Sequence, residues 1–237
     1  MKVDIKGIGW VTPSGIGNGR PGETFRLEAG TLPALRSRMF LEVTHPRFGR
    51  FDSYAKAGFG AIALALKAAG LDRWTQKRSI GLVAGTRCGC QEADLAYFAT
   101  VASDGGALAS PNLFAYTLPS TMLGEASIQF GLTGPGFVVD DSPGHLAGVH
   151  AALDLIQWGL CQTVVAGWCD VDSKIVRTGP EGPSGAVFFV LAEGSEAASW
   201  QWDGRDLTRG TKTVAGLVEL AREVLADNRD PMNGSER

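Results

Sequence analysis

Residues 137–167 constrain the fold more than any other stretch of the chain. An apolar run, Phe137, Val138 and Val139, passes two acids and the turn Ser142-Pro143-Gly144. It then enters a segment with Leu146, Val149, Leu153 and Ile156 at helical spacing. Gly159 follows that segment, and a second apolar run, TVVAG, occupies 163–167. Strand, helix and strand within about thirty residues make a crossover unit, since parallel neighbours need a connection of a dozen residues or more.

The alternation continues on both sides. Residues 3–11 alternate as a strand, and 79–84 (SIGLVA) and 186–191 (AVFFVL) read as buried strands. Residues 54–69 repeat Ala57, Ile62, Ala65, Leu66 and Ala69 near helical spacing, with Gly70 as the stop. Helices are also expected over 91–102, over 118–130 (ended by Gly131), over 143–158 and over 214–226. Most of the 32 glycines stand singly between these segments, as tight strand-to-helix turns require. The fold class is therefore α/β, a mixed, mostly parallel five-stranded sheet covered by helices. Residues 12–52 read as irregular, 194–212 as polar connection and 227–237 as a disordered tail.

With 237 residues and 44% hydrophobic content, the chain can bury a full core. A net charge of −3 leaves no broad basic face for nucleic acid. No apolar run reaches the roughly 18 residues of a membrane span. The opening MKVDIKGIGW reads as a strand rather than a leader, so a cytoplasmic setting is expected, with Cys88, Cys90, Cys161 and Cys169 reduced. The C-x-C pair lacks zinc spacing, so neither a metal nor another cofactor is expected. GIGNG at 15–19 is not followed by the lysine and hydroxyl residue of a phosphate loop.

The chemistry-bearing stretch is DDSPGH at 140–145. Ser142 as N-cap and Pro143 at the first helical position specify a helix start. A serine nucleophile needs a general base. His145 is the candidate base, three residues on, while Asp141 would oppose an oxyanion. Asp140 stands where a hydrolase elbow carries its first glycine. The residues favour a cap over a nucleophile; a Ser142–His145 pair completed by another acid is the alternative. His150 reads as a packing or surface histidine and His45 as loop punctuation. Arg36, Arg38, Arg47 and Arg50 read as a solvated basic loop, able to meet an acidic carrier protein.

Six segments together resemble the N-terminal half of the β-ketoacyl synthases, the condensing enzymes of thiolase-like fold. They are GIGWVTPSGIG (7–17), YAKAGFGAIALALKAAGL (54–71), SIGLVAGTRCG (79–89), SPNLFAYTLPSTMLGEASIQFGLTGPGFVV (110–139), LAGVHAALDLIQWGLCQTVVAGWCDV (146–171) and GPSGAVFFVLAE (182–193). The resemblance implies a synthase-like domain over 1–193 and a C-terminal extension over 194–237. That family carries an acylated cysteine in the corner before the 146–158 helix; counting back from Ile156 and Gly159, the position falls on Ser142. Its two catalytic histidines lie in a C-terminal half with no counterpart here, and Trp168 replaces a family glycine. The resemblance thus implies a catalytically silent subunit, like a shortened chain-length factor, not an enzyme by itself. It would pair with an active ketosynthase, or with itself, through Gly136, Phe137, Val138, Val139 and Asp140. Met122 and Leu123 would shape the acyl pocket, and an acyl carrier protein would be a further partner. The alternatives are a serine-dependent acyltransferase or thioesterase and a homodimeric acyl-binding scaffold.

Overall fold

The computed structural model describes residues 1–20, 22–102, 105–171 and 182–227. The chain begins with β1 (Lys2–Thr12), β2 (Gly15–Gly17), two 3₁₀ turns (Ser37–Met39 and Phe48–Arg50) and α1 (Ser53–Ala68). Then come β3 (Ile80–Thr86), α2 (Gln91–Ala102), α3 (Pro111–Phe114), α4 (Thr121–Phe130), β4 (Gly136–Asp140) and α5 (Ala147–Gln157). The remainder is β5 (Thr163–Asp170), β6 (Gly185–Glu193), β7 (Trp200–Trp202), β8 (Leu207–Arg209), β9 (Lys212–Thr213) and α6 (Leu217–Asp227).

One sheet runs in the order β4-β3-β5-β6-β1-β7-β8-β9, with β2 hairpinned onto β1. The α/β class holds, and the five long strands β4, β3, β5, β6 and β1 form the centre of the sheet. Two details differ from the expectation. Parallel pairing is confined to β4-β3-β5, and every other pair is antiparallel. The parallel strands are those whose connections carry helices: α2 to α4 between β3 and β4, and α5 between β4 and β5. Among the described residues the strand count is nine: β2 forms within the stretch read as irregular, and residues 200–213 form three short strands rather than polar connection. Trp200, Trp202 and Leu207 alternate inward and are buried, while Gln201 faces solvent. β7 pairs with β1, so the segment after residue 193 continues the same sheet.

Helices cover both faces. α1 and α4 close one core, with Phe59, Phe130 and Met122 in it; α5 and α6 close the other, with Trp10, Trp168 and Trp202. Glycines permit the close approach of helix and sheet. A Cβ on Gly9 would lie 2.3 Å from the Ala61 carbonyl oxygen of α1. One on Gly148 of α5 would lie 2.3 Å from the Gly167 oxygen of β5. Asp52 caps α1, its Oδ1 accepting the Ala55 N–H at 2.8 Å. Its Oδ2 is buried without a partner, and burial foremost, then the nearby Glu92 charge, holds its pKa up at about 6. The expected tail lies beyond residue 227, outside the described residues except for Asp227 at the end of α6.

Candidate functional site

The corner after β4 is not a helix start. Asp141 still belongs to the sheet, its N–H donating to the Thr86 carbonyl of β3 at 3.0 Å. Gly144 (φ 97°) and His145 (φ 61°) then both take positive φ, and His145 is the one non-glycine residue to do so among the described residues. Two such residues in succession cannot lie in a right-handed helix. α5 therefore starts at Ala147, with Leu146 as a cap that gives no side-chain hydrogen bond. This corrects the expected helix over 143–158 and the capping role of Ser142.

The strained turn is held from both ends. His145 Nδ1 lies 2.6 Å from Asp141 Oδ2, and the Gly144 carbonyl accepts the Leu217 N–H of α6 at 2.7 Å. The Asp141 side chain is wholly buried, and its Oδ1 has no partner. The His145 ring lies against Trp168, 4.9 Å between centroids. Ser142 is exposed, and its Oγ makes no hydrogen bond. Its carbonyl accepts the His145 N–H at 3.1 Å. The imidazole is thus joined to the acid, and the serine stands outside the pair.

A second buried carboxylate, Asp170, was not legible as a site residue. It accepts the Thr86 hydroxyl (2.6 Å), the Arg87 and Cys88 N–H groups (3.1 and 2.9 Å) and the Trp168 indole N–H (3.0 Å). Thr86 Oγ1 in turn accepts the Gly89 N–H at 2.8 Å. These charge-assisted bonds fix the turn after β3. Its partners in that turn lie more than eighty positions away in sequence, so only the pairing of β3 with β5 brings them together. Trp168 links the two carboxylates, touching His145 on one side and Asp170 on the other.

That turn walls an open groove of about 560 Å³, lined by Thr86, Arg87, Cys88, Gly89, Pro119, Ser120 and the whole of β4. β4 is the sheet's edge: it pairs with β3 on one side and with no described strand on the other. Phe137, Val138 and Val139 are half-buried there, and Gly136 and Asp140 are exposed. Met122 and Leu123 do not reach the groove. Both are buried in the core beneath α1, where a Cβ on Gly58 would meet Met122 Sδ at 1.9 Å. As core residues they lie away from the surface that β4 presents.

The remaining candidates have structural roles. His150 packs on Trp202 at 5.0 Å, and burial lowers its pKa. His45 is not loop punctuation but a core residue. Its ring lies among Phe51 and Phe59, its Nδ1 accepts the Arg47 N–H at 3.2 Å, and burial lowers its pKa. In the 15–19 loop the N–H groups of Asn18, Gly19 and Arg20 all donate to Glu23 Oε2, so the chain's own carboxylate fills that nest. Cys88 is exposed and the other three cysteines are buried; burial foremost, then the Asp94 charge, pushes Cys90 up to about 12. Among the described residues no three His, Cys, Asp or Glu side chains converge as metal ligands would, and no helix is long and apolar enough to cross a membrane.

Residues 37–178 match the family described as "Beta-ketoacyl synthase, N-terminal domain". The fold is similar to the solved ishigamide ketosynthase/chain length factor: TM-score 0.64, 16% identity, 81% of this chain against 58% of that one. It is similar to a ketosynthase in complex with its chain length factor from Xenorhabdus doucetiae: TM-score 0.58, 16% identity, 83% against 81%. A third is a type II acyl-carrier protein in complex with its ketosynthase bound to the hexaketide: TM-score 0.60, 19% identity, 81% against 62%. The chain spans less than two thirds of the first and third of these chains, and about four fifths of the second. No curated protein sequence matches it significantly.

Proposed function

The chain belongs to the β-ketoacyl synthase family through its N-terminal domain, and from that premise we propose that it is a catalytically silent subunit which pairs with an active ketosynthase. One observation carries the proposal: at the corner where the family's nucleophile falls, Ser142 is exposed and its Oγ makes no hydrogen bond to His145 or to any other base. A serine hydroxyl needs proton removal to attack a thioester, and a buried carboxylate beside it opposes the charge that would form.

Pairing is supported by the surface around β4. An open edge strand with apolar side chains invites a further strand. Gly89 and Pro119, on either side of the segment that carries α2 and α3, line the groove, and that segment leaves Phe98, Leu108, Phe114 and Leu118 exposed. The relative from Xenorhabdus doucetiae, a complex of ketosynthase and chain length factor, includes a chain of near-equal length. In this proposal the groove, with Phe137, Val139 and Pro119 on its wall, takes the pocket-shaping role in fatty-acid or type II polyketide synthesis. The other relative's carrier protein suggests an acyl carrier protein as the second partner.

A serine-dependent acyl transfer or hydrolysis has one observation in its favour, since Asp141 and His145 are two members of a triad. The two readings separate on covalent chemistry. Incubated with acyl-carrier thioesters and measured by intact mass spectrometry, the chain is expected to gain no acyl mass. An acyl adduct mapped to Ser142 would reverse the assignment.

A further inference from the structure

We propose that the corner over 142–145 is a two-position element and that α6 holds it in the position seen here. Ser142 and Pro143 carry the side chains of a helix cap and a first helical residue, so local preference would start α5 one turn before Ala147. Instead Gly144 and His145 take φ 97° and 61°, and the turn stays out of the helix. His145 resists that backbone, and the Asp141 Oδ1 beside it is buried without a partner. Local preference therefore opposes the observed corner, and contacts from distant residues hold it. In the other position α5 begins at Ser142, and the Gly144 carbonyl turns toward the Gly148 N–H.

α6 supplies the distant contacts. The Gly144 carbonyl accepts the Leu217 N–H at 2.7 Å, and that donor opens α6, where no carbonyl of its own helix can serve it. Only glycines fit where the two segments cross. A Cβ on Gly144 would lie 2.9 Å from the Ala215 oxygen, and one on Gly216 3.2 Å from the Gly144 oxygen. α6 is itself anchored. Leu217, Leu220, Ala221, Val224 and Leu225 are buried in the core that holds Trp168, and Lys212 of β9 reaches Glu219 and Glu223 at 2.7 and 2.8 Å. Trp168 carries the corner's position further. Its ring lies 4.9 Å from His145, and its indole N–H bonds Asp170, which fixes Thr86 and Cys88 at the groove. When His145 swings into α5, Trp168 loses that neighbour and the groove turn loosens. Lifting α6 from Gly144 is thereby felt at Cys88, through a two-state element and not through proximity alone. The coupling does not depend on which partner the groove takes.

The test moves the element from both sides. Gly144→Ala disfavours the positive φ, and Gly216→Ala pushes α6 off the corner without altering the corner's own residues. Gly49→Ala, exposed and with nothing within 4 Å of the added Cβ, is the control. Cys88, the one exposed cysteine of the four, reports the groove through its rate of labelling by a small aromatic disulfide. Both test variants are expected to label at least about threefold faster than wild type and to lose about tenfold of the hydrogen-exchange protection at the Leu217 amide, with Gly49→Ala unchanged. Backbone carbon chemical shifts of 143–146 should move to helical values in Gly144→Ala. Wild-type labelling and protection in both variants, or corner shifts that stay non-helical, would overturn the two-position element. Faster labelling in Gly144→Ala alone would overturn the role given to α6. Should the variants fail to fold, wild type decides: relaxation dispersion is expected to give His145, Leu217 and the Trp168 indole N–H one common exchange rate, and separate rates or none would overturn the proposal.

Discussion

The corner over 142–145 turns on the backbone of His145, held at φ 61° between Gly144 and Leu146. The turn residues Ser, Pro and Gly are those of a helix start, and sequence logic placed a cap there. What that logic could not see is that His145, not only Gly144, takes a left-handed backbone. A non-glycine residue pays roughly 1–2 kcal/mol for that conformation. The bond to Asp141 and the contact with Trp168 offset the cost, and neither partner is signalled by local spacing. Asp170 was missed for a related reason, since a lone acid at a strand end becomes an organising residue only when β3 lies beside β5. Asp52 carries a prediction at this scale. Its pKa is raised from 3.8 to about 6, chiefly by burial, so the folded state favours the protonated form. The stability it contributes is full below about pH 4 and is lost as pH rises through about 6, with an upper bound of about 3 kcal/mol. Asp52→Asn keeps an oxygen for the Ala55 N–H and removes the buried charge. Denaturant midpoints should therefore vary less between pH 4 and 7 in the variant, and at pH 8 the variant should be the more stable. A variant less stable than wild type at pH 8 would contradict the role given to burial.

At the scale of elements, the long strands and α1 and α4 were legible because their apolar periods are regular and glycines mark their ends, whereas α2 buries only Ala93. Gly131 in left-handed conformation ends α4 as expected. The strands after residue 193 were not legible. Each is two or three residues long, and their inward side chains, Trp200, Trp202 and Leu207, lie in a stretch that is polar on average. β4 was readable as a strand, but its place at the edge follows from the strand order. Its free edge can be tested without dismantling the sheet. In the parallel ladder the Asp141 N–H faces β3, and by the two-residue alternation so do those of Phe137 and Val139, which leaves the Val138 N–H on the open side. Val138→Pro removes that donor and spares the bonds to β3. Ketosynthase pairing should weaken at least about tenfold, by loss of an edge hydrogen bond and by ring bulk. The far-ultraviolet circular dichroism should stay unchanged. Pairing at wild-type affinity would mean that the partner does not add to this edge.

For the whole molecule, the order of motifs was more informative than any one of them. Six segments in family order implied the thiolase-like arrangement, and the five central strands, with α1 and α4 on one face and α5 and α6 on the other, bear that out. The subunit proposal rests on the architecture around the corner: a fixed turn, an open groove, a strand with no described partner on one side, and exposed apolar residues on the segment of α2 and α3. Such a surface is a liability in a lone monomer and an asset in a pair. Association with a ketosynthase is therefore what this surface predicts. Co-purified with the active ketosynthase of its pathway and measured by size-exclusion chromatography with light scattering, the chain should give a stable 1:1 heterodimer. A monomer, or a homodimer that ignores the ketosynthase, would contradict it.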